Sequence, residues 1–156
     1  GGADAAVTVR QDPRGLVLSM SEDVLFDAGT AYVKTSSTAS LAAVAAVLKK
    51  AQCDAAVEGH TDSLPISNAR YASNWELSAA RAMAIFTELS RRGVANGRMV
   101  VAGMGDQHPL ILNGKDLSRR VEIALKFRPV TDEQQDTITD KNFKPFSRPA
   151  VAPKGL

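Results

Sequence analysis

The residues best suited to chemistry lie in two short blocks. Gly59-His60-Thr61-Asp62 places an imidazole and a carboxylate just past a β-prone run, and Ser73-Asn74-Trp75-Glu76-Leu77-Ser78-Ala79-Ala80-Arg81 carries a guanidinium about two turns into the next segment. Asn74, Leu77 or Ser78, and Arg81 follow helical i, i+3/i+4, i+7 spacing and share one face. If that helix packs back beside the strand it follows, the face looks across at Asp62. A carboxylate and a guanidinium so placed, with an amide nearby, form a receptor for a zwitterion. The carboxylate takes an ammonium, and the guanidinium fork takes a carboxylate with two parallel N–H donors. Such recognition needs no nucleophile, metal or proton shuttle. Spacing alone also fits a plainer arrangement, with Asp62 and Arg81 as a structural salt bridge, Ser73 as a helix cap and Trp75 as a packing residue.

Two other chemistries are weaker. His60 and Asp62, with His108 as a third donor, have metal-ligating side chains, but two histidines in separate loops promise no closed four-ligand geometry. Cys53 or Ser63 with His60 would need an orienting acid and an oxyanion hole, and the chain has neither a nucleophile elbow nor a phosphate-binding glycine loop. Cys53 stands alone and reads as a buried, inert thiol. Neither enzyme activity nor a cofactor is expected.

The elements that must position these groups follow from periodicity. Residues 16–20 are β-prone with Leu16, Leu18 and Met20 on one face. Residues 23–26 continue that strand or follow a bend, and 27–30 read as a turn. A first helix is expected over 35–50, with Leu41, Val44, Ala45 and Leu48 as its apolar stripe and Thr35, Ser36 and Ser37 as candidate caps. A short strand over 54–58 stops at Gly59. The polar stretch 60–73 is long for an interior connection, and loops of that length are more often functional than idle. Ser73 and Glu76 then form a capping-box pattern that opens a second helix running to about Arg92, with Leu77, Ala80, Ala84, Ile85 and Leu89 as its buried side. A strand at 99–102, a Gly- and Pro-containing loop at 103–117 and a half-buried strand at 119–127 complete the order. In the last, Val121, Ile123, Leu125 and Phe127 point one way, and Arg120, Glu122, Ala124 and Lys126 the other. The β-α-β-α-β-β order predicts an α+β domain, a small mixed sheet with helices packed on one face. Residues 1–14 are expected to be a leader, 15–129 the domain, and 130–156 a Pro-rich flexible tail.

Bulk properties narrow the partners. A chain of 156 residues with 44% apolar content makes one domain with its own core. Its 19 basic and 17 acidic residues leave a formal charge of +2, without the basic stripe of a nucleic-acid binder. One cysteine rules out an internal disulfide. No apolar run reaches the roughly 18–20 residues of a membrane span, so the chain as given reads as soluble. It begins Gly1-Gly2-Ala3 and reads as a fragment.

Gly59-His60-Thr61-Asp62, Asn74, Leu77-Ser78-Ala79-Ala80-Arg81-Ala82 and Arg119-Arg120-Val121-Glu122-Ile123, preceded by Leu25-Phe26-Asp27-Ala28-Gly29-Thr30, together resemble the signature of the OmpA-like peptidoglycan-binding domain over about 16–128. The resemblance implies that Asp62 and Arg81 make the two charged contacts with a diaminopimelate residue of the wall's stem peptide. It also implies that Asn74 and Arg120 line or support the pocket, and that Thr61 and Leu77 fill motif positions there. The long loop, residues 71–82 and residues 103–109 are similar to flagellar stator proteins of the MotB type. That implies a periplasmic domain and a homodimer that tethers a membrane stator, with a MotA-like partner, to the wall. The membrane helix of that group, with its ion-carrying Asp, is not in this sequence. Ser118 departs from the Asn that most members carry before the paired arginines, which removes an amide near the pocket. The alternatives are an outer-membrane or lipoprotein wall anchor unrelated to motility and, in another class, a metal-dependent or thiol hydrolase at His60, Asp62 and Cys53.

Overall fold

The computed structural model describes residues 6–51 and 53–127. Ten elements follow one another: β1 (Thr8–Asp12), β2 (Gly15–Ser21), α1 (Glu22–Leu25), α2 (Thr38–Lys50), β3 (Cys53–His60), α3 (Asn74–Arg91), β4 (Met99–Gly103), β5 (Ile111–Leu112), β6 (Lys115–Asp116) and β7 (Arg120–Phe127). Five strands form one sheet in the order β1-β2-β7-β3-β4, and β5 pairs with β6 in a separate small ribbon. Only β3 and β4 run parallel, joined by α3; the other neighbours in the large sheet are antiparallel. This is the α+β architecture expected.

Strand alternation sorts the two faces. In the β3–β7 register Ala55 opposes Leu125, Val57 opposes Ile123 and Gly59 opposes Val121. Ala55, Val57, Val121, Ile123 and Leu125, with Leu18 and Met20 of β2, form a core with Leu41, Val44, Ala45 and Leu48 of α2 and Ala82, Ile85 and Leu89 of α3. Each fully buried Leu or Ile contributes about 1.5–3 kcal/mol. The stripe expected on α2 is the one buried.

Several local expectations are corrected. Thr8–Asp12, expected within the leader, is an edge strand whose register with β2 runs from Thr8↔Ser19 to Asp12↔Gly15. Its pairing depends on a partner strand and leaves no strong period of its own. Of the two readings of 23–26, continued strand is excluded: the chain leaves β2 into a short helix over residues 22–25. The helix expected from residue 35 opens with a 3-10 turn, Thr35–Ser37, and neither serine nor threonine caps α2 through its side chain. Ser37 Oγ donates instead to the Lys34 carbonyl. Within 103–117, Asn113 (φ 52°) and Gly114 (φ 74°) form the two-residue turn of the β5–β6 hairpin, the left-handed pair that Asn-Gly favours. β7 is buried on both faces from Arg120 to Leu125, so its alternation separates apolar from charged without separating core from solvent. Residues 130–156, expected as a tail, lie outside the described residues.

Two glycines bring α3 onto the sheet. A Cβ at Gly59 would stand 2.1 Å from the Ser78 carbonyl oxygen, and one at Gly103 would stand 2.7 Å from the Ala79 amide nitrogen. The N-terminal half of α3 therefore rests on bare backbone at the C-terminal ends of β3 and β4. No helix among the described residues is long and apolar enough to cross a membrane.

Candidate functional site

Asp62 follows β3 by two residues, and Arg81 lies in the part of α3 that the two glycines draw against that strand end. Both line one cavity of about 230 Å³, together with Thr61, Asn74, Leu77, Glu22 and Arg119 among others. They are not paired with each other; each has a nearer partner.

Arg81 is 3% exposed. Its Nε donates to the Thr30 carbonyl at 2.8 Å, its guanidinium sits 5.0 Å over the Phe26 ring, and Nη2 lies 2.7 Å from Glu22 Oε1. That last contact is an ion pair whose angles fall outside hydrogen bonding, so the buried Nη2 has no hydrogen-bond acceptor. The turn predicted at 27–30 thus supplies a fixed carbonyl that orients the guanidinium.

Asp62 Oδ1 accepts the Leu64 amide at 3.1 Å, and Oδ2 lies 3.6 Å from Arg119 Nε. Arg119 also reaches Glu22 Oε2 at 3.2 Å, and the Glu22 amide donates to the Arg119 carbonyl at 2.9 Å. Two carboxylates and two guanidiniums therefore face the cavity with no net charge.

Asn74 works through the backbone. Its Nδ2 donates to the carbonyls of Asp62 (3.3 Å) and Leu64 (3.0 Å), which ties the start of the loop to the first turn of α3. Ser73 caps that helix by accepting the Glu76 amide, while the Glu76 carboxylate takes the Ala72 amide, one residue earlier than the standard capping box. Thr61 is held from the other side, its amide donating to Gly105, whose own amide donates to Ser78 Oγ.

Arg120 does not join this cavity. Its Nε donates to Glu122 Oε1 at 2.6 Å and its Nη1 to the Ser118 carbonyl at 2.8 Å, on the sheet face away from the helices. Adjacent strand residues point to opposite faces, so the arginine that reaches the cavity is Arg119. The alternation noted for β7 puts Arg119 with Val121, on the helix side, so this correction was available from the sequence. Glu22 carried no such signal, because the loop that would continue β2 turns into α1. Ser118, the departure from the family pattern, accepts the Leu110 amide through Oγ and holds the loop without facing the cavity.

The opposite face carries a second charged cluster. Glu58 and Glu122 are directly opposed across β3 and β7, a repulsive pairing offset by three arginines. Glu122 takes Arg10 at 2.5 Å, Arg14 at 2.7 Å and Arg120 at 2.6 Å; Arg14 also pairs with Glu58 and Asp12. Burial alone would raise the Glu122 carboxyl, but the arginines outweigh it and hold the group at about 2. Burial of Glu58 is likewise outweighed, by His60 and Arg14, and its carboxyl lies below the usual range. β1 and its turn supply Arg10 and Arg14, so the strand expected as leader completes this cluster.

The metal and hydrolase sets are not assembled. His60 and His108 line the cavity on the sheet face, whereas Asp62 lines the one beside α3. Cys53 and His60 stand at opposite ends of β3, seven residues or about 23 Å apart.

Residues 25–122 match the model of the OmpA family. The chain is 41% identical over 127 residues to the uncharacterized protein YtxE of Bacillus subtilis (strain 168), covering 78% of this chain and 52% of that protein. It is 27% identical over 117 residues to Motility protein B of the same organism, covering 71% and 45%. Among solved structures, the cell wall anchor of the T6SS from Pseudomonas aeruginosa superposes with a TM-score of 0.70 at 32% identity, covering 80% of this chain and 89% of that one. The chain spans about half the length of these two curated relatives.

Proposed function

Because this chain belongs to the OmpA family, we propose that it is a non-enzymatic module that holds bacterial cell wall by the zwitterionic end of a stem-peptide residue of the diaminopimelate type. The observation that carries this reading is that Asp62 and Arg81 face one cavity without pairing with each other, with Arg119 beside them. A cavity of about 230 Å³ is smaller than the roughly 300–1,000 Å³ that encloses a drug-sized ligand. It suits the tip of one residue.

In this reading the ligand ammonium replaces Arg119 at Asp62 Oδ2. Arg119, 55% exposed at its side chain, swings onto the ligand carboxylate beside the fixed guanidinium of Arg81. Thr30 and Phe26 hold Arg81 in place beforehand, which lowers the ordering cost of binding. One zwitterion brings one charge of each sign, so the cavity keeps its neutrality while Glu22 stays against Arg81.

At the level of the whole protein, the likeness to Motility protein B supports a periplasmic domain, homodimeric in the full-length protein, that anchors a flagellar stator with a MotA-like partner. The T6SS wall anchor, at 32% identity, favours a second reading in which the same site anchors another envelope machine. Co-sedimentation of the purified chain with sacculi tests the shared claim. Retention on diaminopimelate-type sacculi, competed by free diaminopimelate and absent with lysine-type stems, is expected; equal retention on both would remove the ligand assignment. A motility assay of the full-length gene carrying Arg81→Ala separates stator from other anchor. Unchanged swimming by a strain that expresses the variant normally would end the stator reading.

A further inference from the structure

A larger cavity, about 470 Å³, opens on the sheet face away from the helices and plays no part in the wall site. Its floor holds His60, 3% exposed, with neither ring nitrogen hydrogen-bonded. Buried polar atoms nearly always have a partner, so this imidazole calls for one. Nε2 lies 3.5 Å from Glu58 Oε1 and 3.8 Å from Glu122 Oε2. The ring therefore stands against both carboxylates at separations longer than an ordinary hydrogen bond. They are close to the ~3.3–3.5 Å between neighbouring donors on a tetrahedral ion with 2.0–2.2 Å bonds. One ligand atom from each of the three residues falls within 4.8 Å of the others.

We propose that Glu58, His60 and Glu122 form a binding site for a divalent transition-metal ion of the zinc class, with His108 as the fourth donor. The His60 and His108 rings stand edge to face with centroids 5.8 Å apart, and two imidazoles on one tetrahedral ion stand about 5 Å apart. His108 stands outside the three-residue group and would have to move inward to close the shell.

Arg14 decides occupancy. Its guanidinium pairs with Glu58 Oε1 and Glu122 Oε2, the two oxygens that face His60 Nε2. It therefore bridges the same carboxylates a metal would bridge. Arg14 sits at the β1–β2 turn, is 36% exposed at its side chain, and has a separate anchor in Asp12, which accepts from both its Nε and Nη2. It can release the two glutamates and keep Asp12. Glu122 Oε1 remains with Arg10 and Arg120 throughout, which leaves Oε2 for the ion. Metal and guanidinium compete for one position.

Cobalt(II) is the probe, titrated into the full chain and followed by calorimetry and by the visible bands of tetrahedral cobalt, with zinc as competitor. Arg14→Gln should bind cobalt at least tenfold more tightly than the unmodified chain, and zinc should displace it. In the Arg14→Gln background, His60→Gln should abolish the bands. Glu58→Gln, a near-isosteric change at a less buried position, provides the same test if the His60 variant fails to fold. The proposal is overturned if neither the unmodified chain nor folded Arg14→Gln binds cobalt at millimolar concentration, or if binding survives Glu58→Gln and His60→Gln unchanged. No cell wall enters this experiment, so its outcome is independent of the wall-binding reading.

Discussion

Arg119 and Arg120 are neighbours in sequence and serve opposite sides of one sheet. Arg119 Nε stands 3.6 Å from Asp62, beside α3, while Arg120 Nε stands 2.6 Å from Glu122 on the other face. The first is 55% exposed at its side chain and the second 4%. One belongs to a binding surface and the other to a buried charge cluster, and exchanging their substitutions should exchange the consequences.

Arg119→Ala should weaken retention on sacculi about tenfold, by removing a ligand contact, while thermal stability changes little, because exposed ion pairs contribute about 0–1 kcal/mol. Arg120→Ala should cost about 2–4 kcal/mol of stability, since it strips a buried carboxylate of one partner, with wall affinity retained in the folded fraction. Thermal unfolding and co-sedimentation of both variants check the pair. Loss of wall affinity confined to Arg120→Ala would reverse the assignment.

Asp62→Ala and Arg81→Ala should each weaken wall binding by about 2–4 kcal/mol where the contacts are desolvated by the ligand. The Arg81 change also removes one of the two partners of Glu22 and the donor to the Thr30 carbonyl, so it should lower the melting temperature more than Asp62→Ala does. Asn74→Ala, which only loosens the loop backbone, should cost about 1 kcal/mol of binding. Binding isotherms on sacculi rank the three.

Acid should unfold the domain through the sheet-face cluster. Glu122 is held at about 2 in the folded protein, against roughly 4.3 for a free glutamate. A lowered folded pKa contributes stability that is fully present above the unfolded value and lost as pH falls through the folded one. The melting temperature should therefore drop between about pH 4.5 and 2, and Glu122→Gln should flatten that slope. Glu58 and Asp12, also lowered, keep part of it. An unchanged slope in the variant would show that this carboxylate is not responsible.

Gly59→Ala should destabilise by 3 kcal/mol or more, at the upper end of overpacking costs, because the added methyl meets the rigid backbone of α3. It should also weaken wall binding by moving Arg81 away from Asp62. Chemical denaturation gives the first quantity and co-sedimentation the second. A stable, fully binding Gly59→Ala protein would mean that α3 is free to slide.

Much of this molecule is written in local pattern. The apolar stripe of α2, the Leu77, Ile85 and Leu89 part of that on α3, the alternation of β7, the Ser73 cap and the placement of Asp62 and Arg81 near a strand–helix junction all follow from spacing, because each depends on residues a few positions apart. Pairing over long separations decided the rest. β1 has little period of its own and becomes a strand only against β2. Glu22 enters the cavity because the chain bends into α1 beside Arg119, nearly a hundred residues away in sequence. Gly59 reads locally as a strand terminator, yet its decisive property is the Ser78 carbonyl packed where a side chain would be. Sequence fixes which side a residue faces through the two-residue period of a strand; only the assembled sheet decides which charges meet there, since each carboxylate takes whichever guanidinium the neighbouring strand delivers.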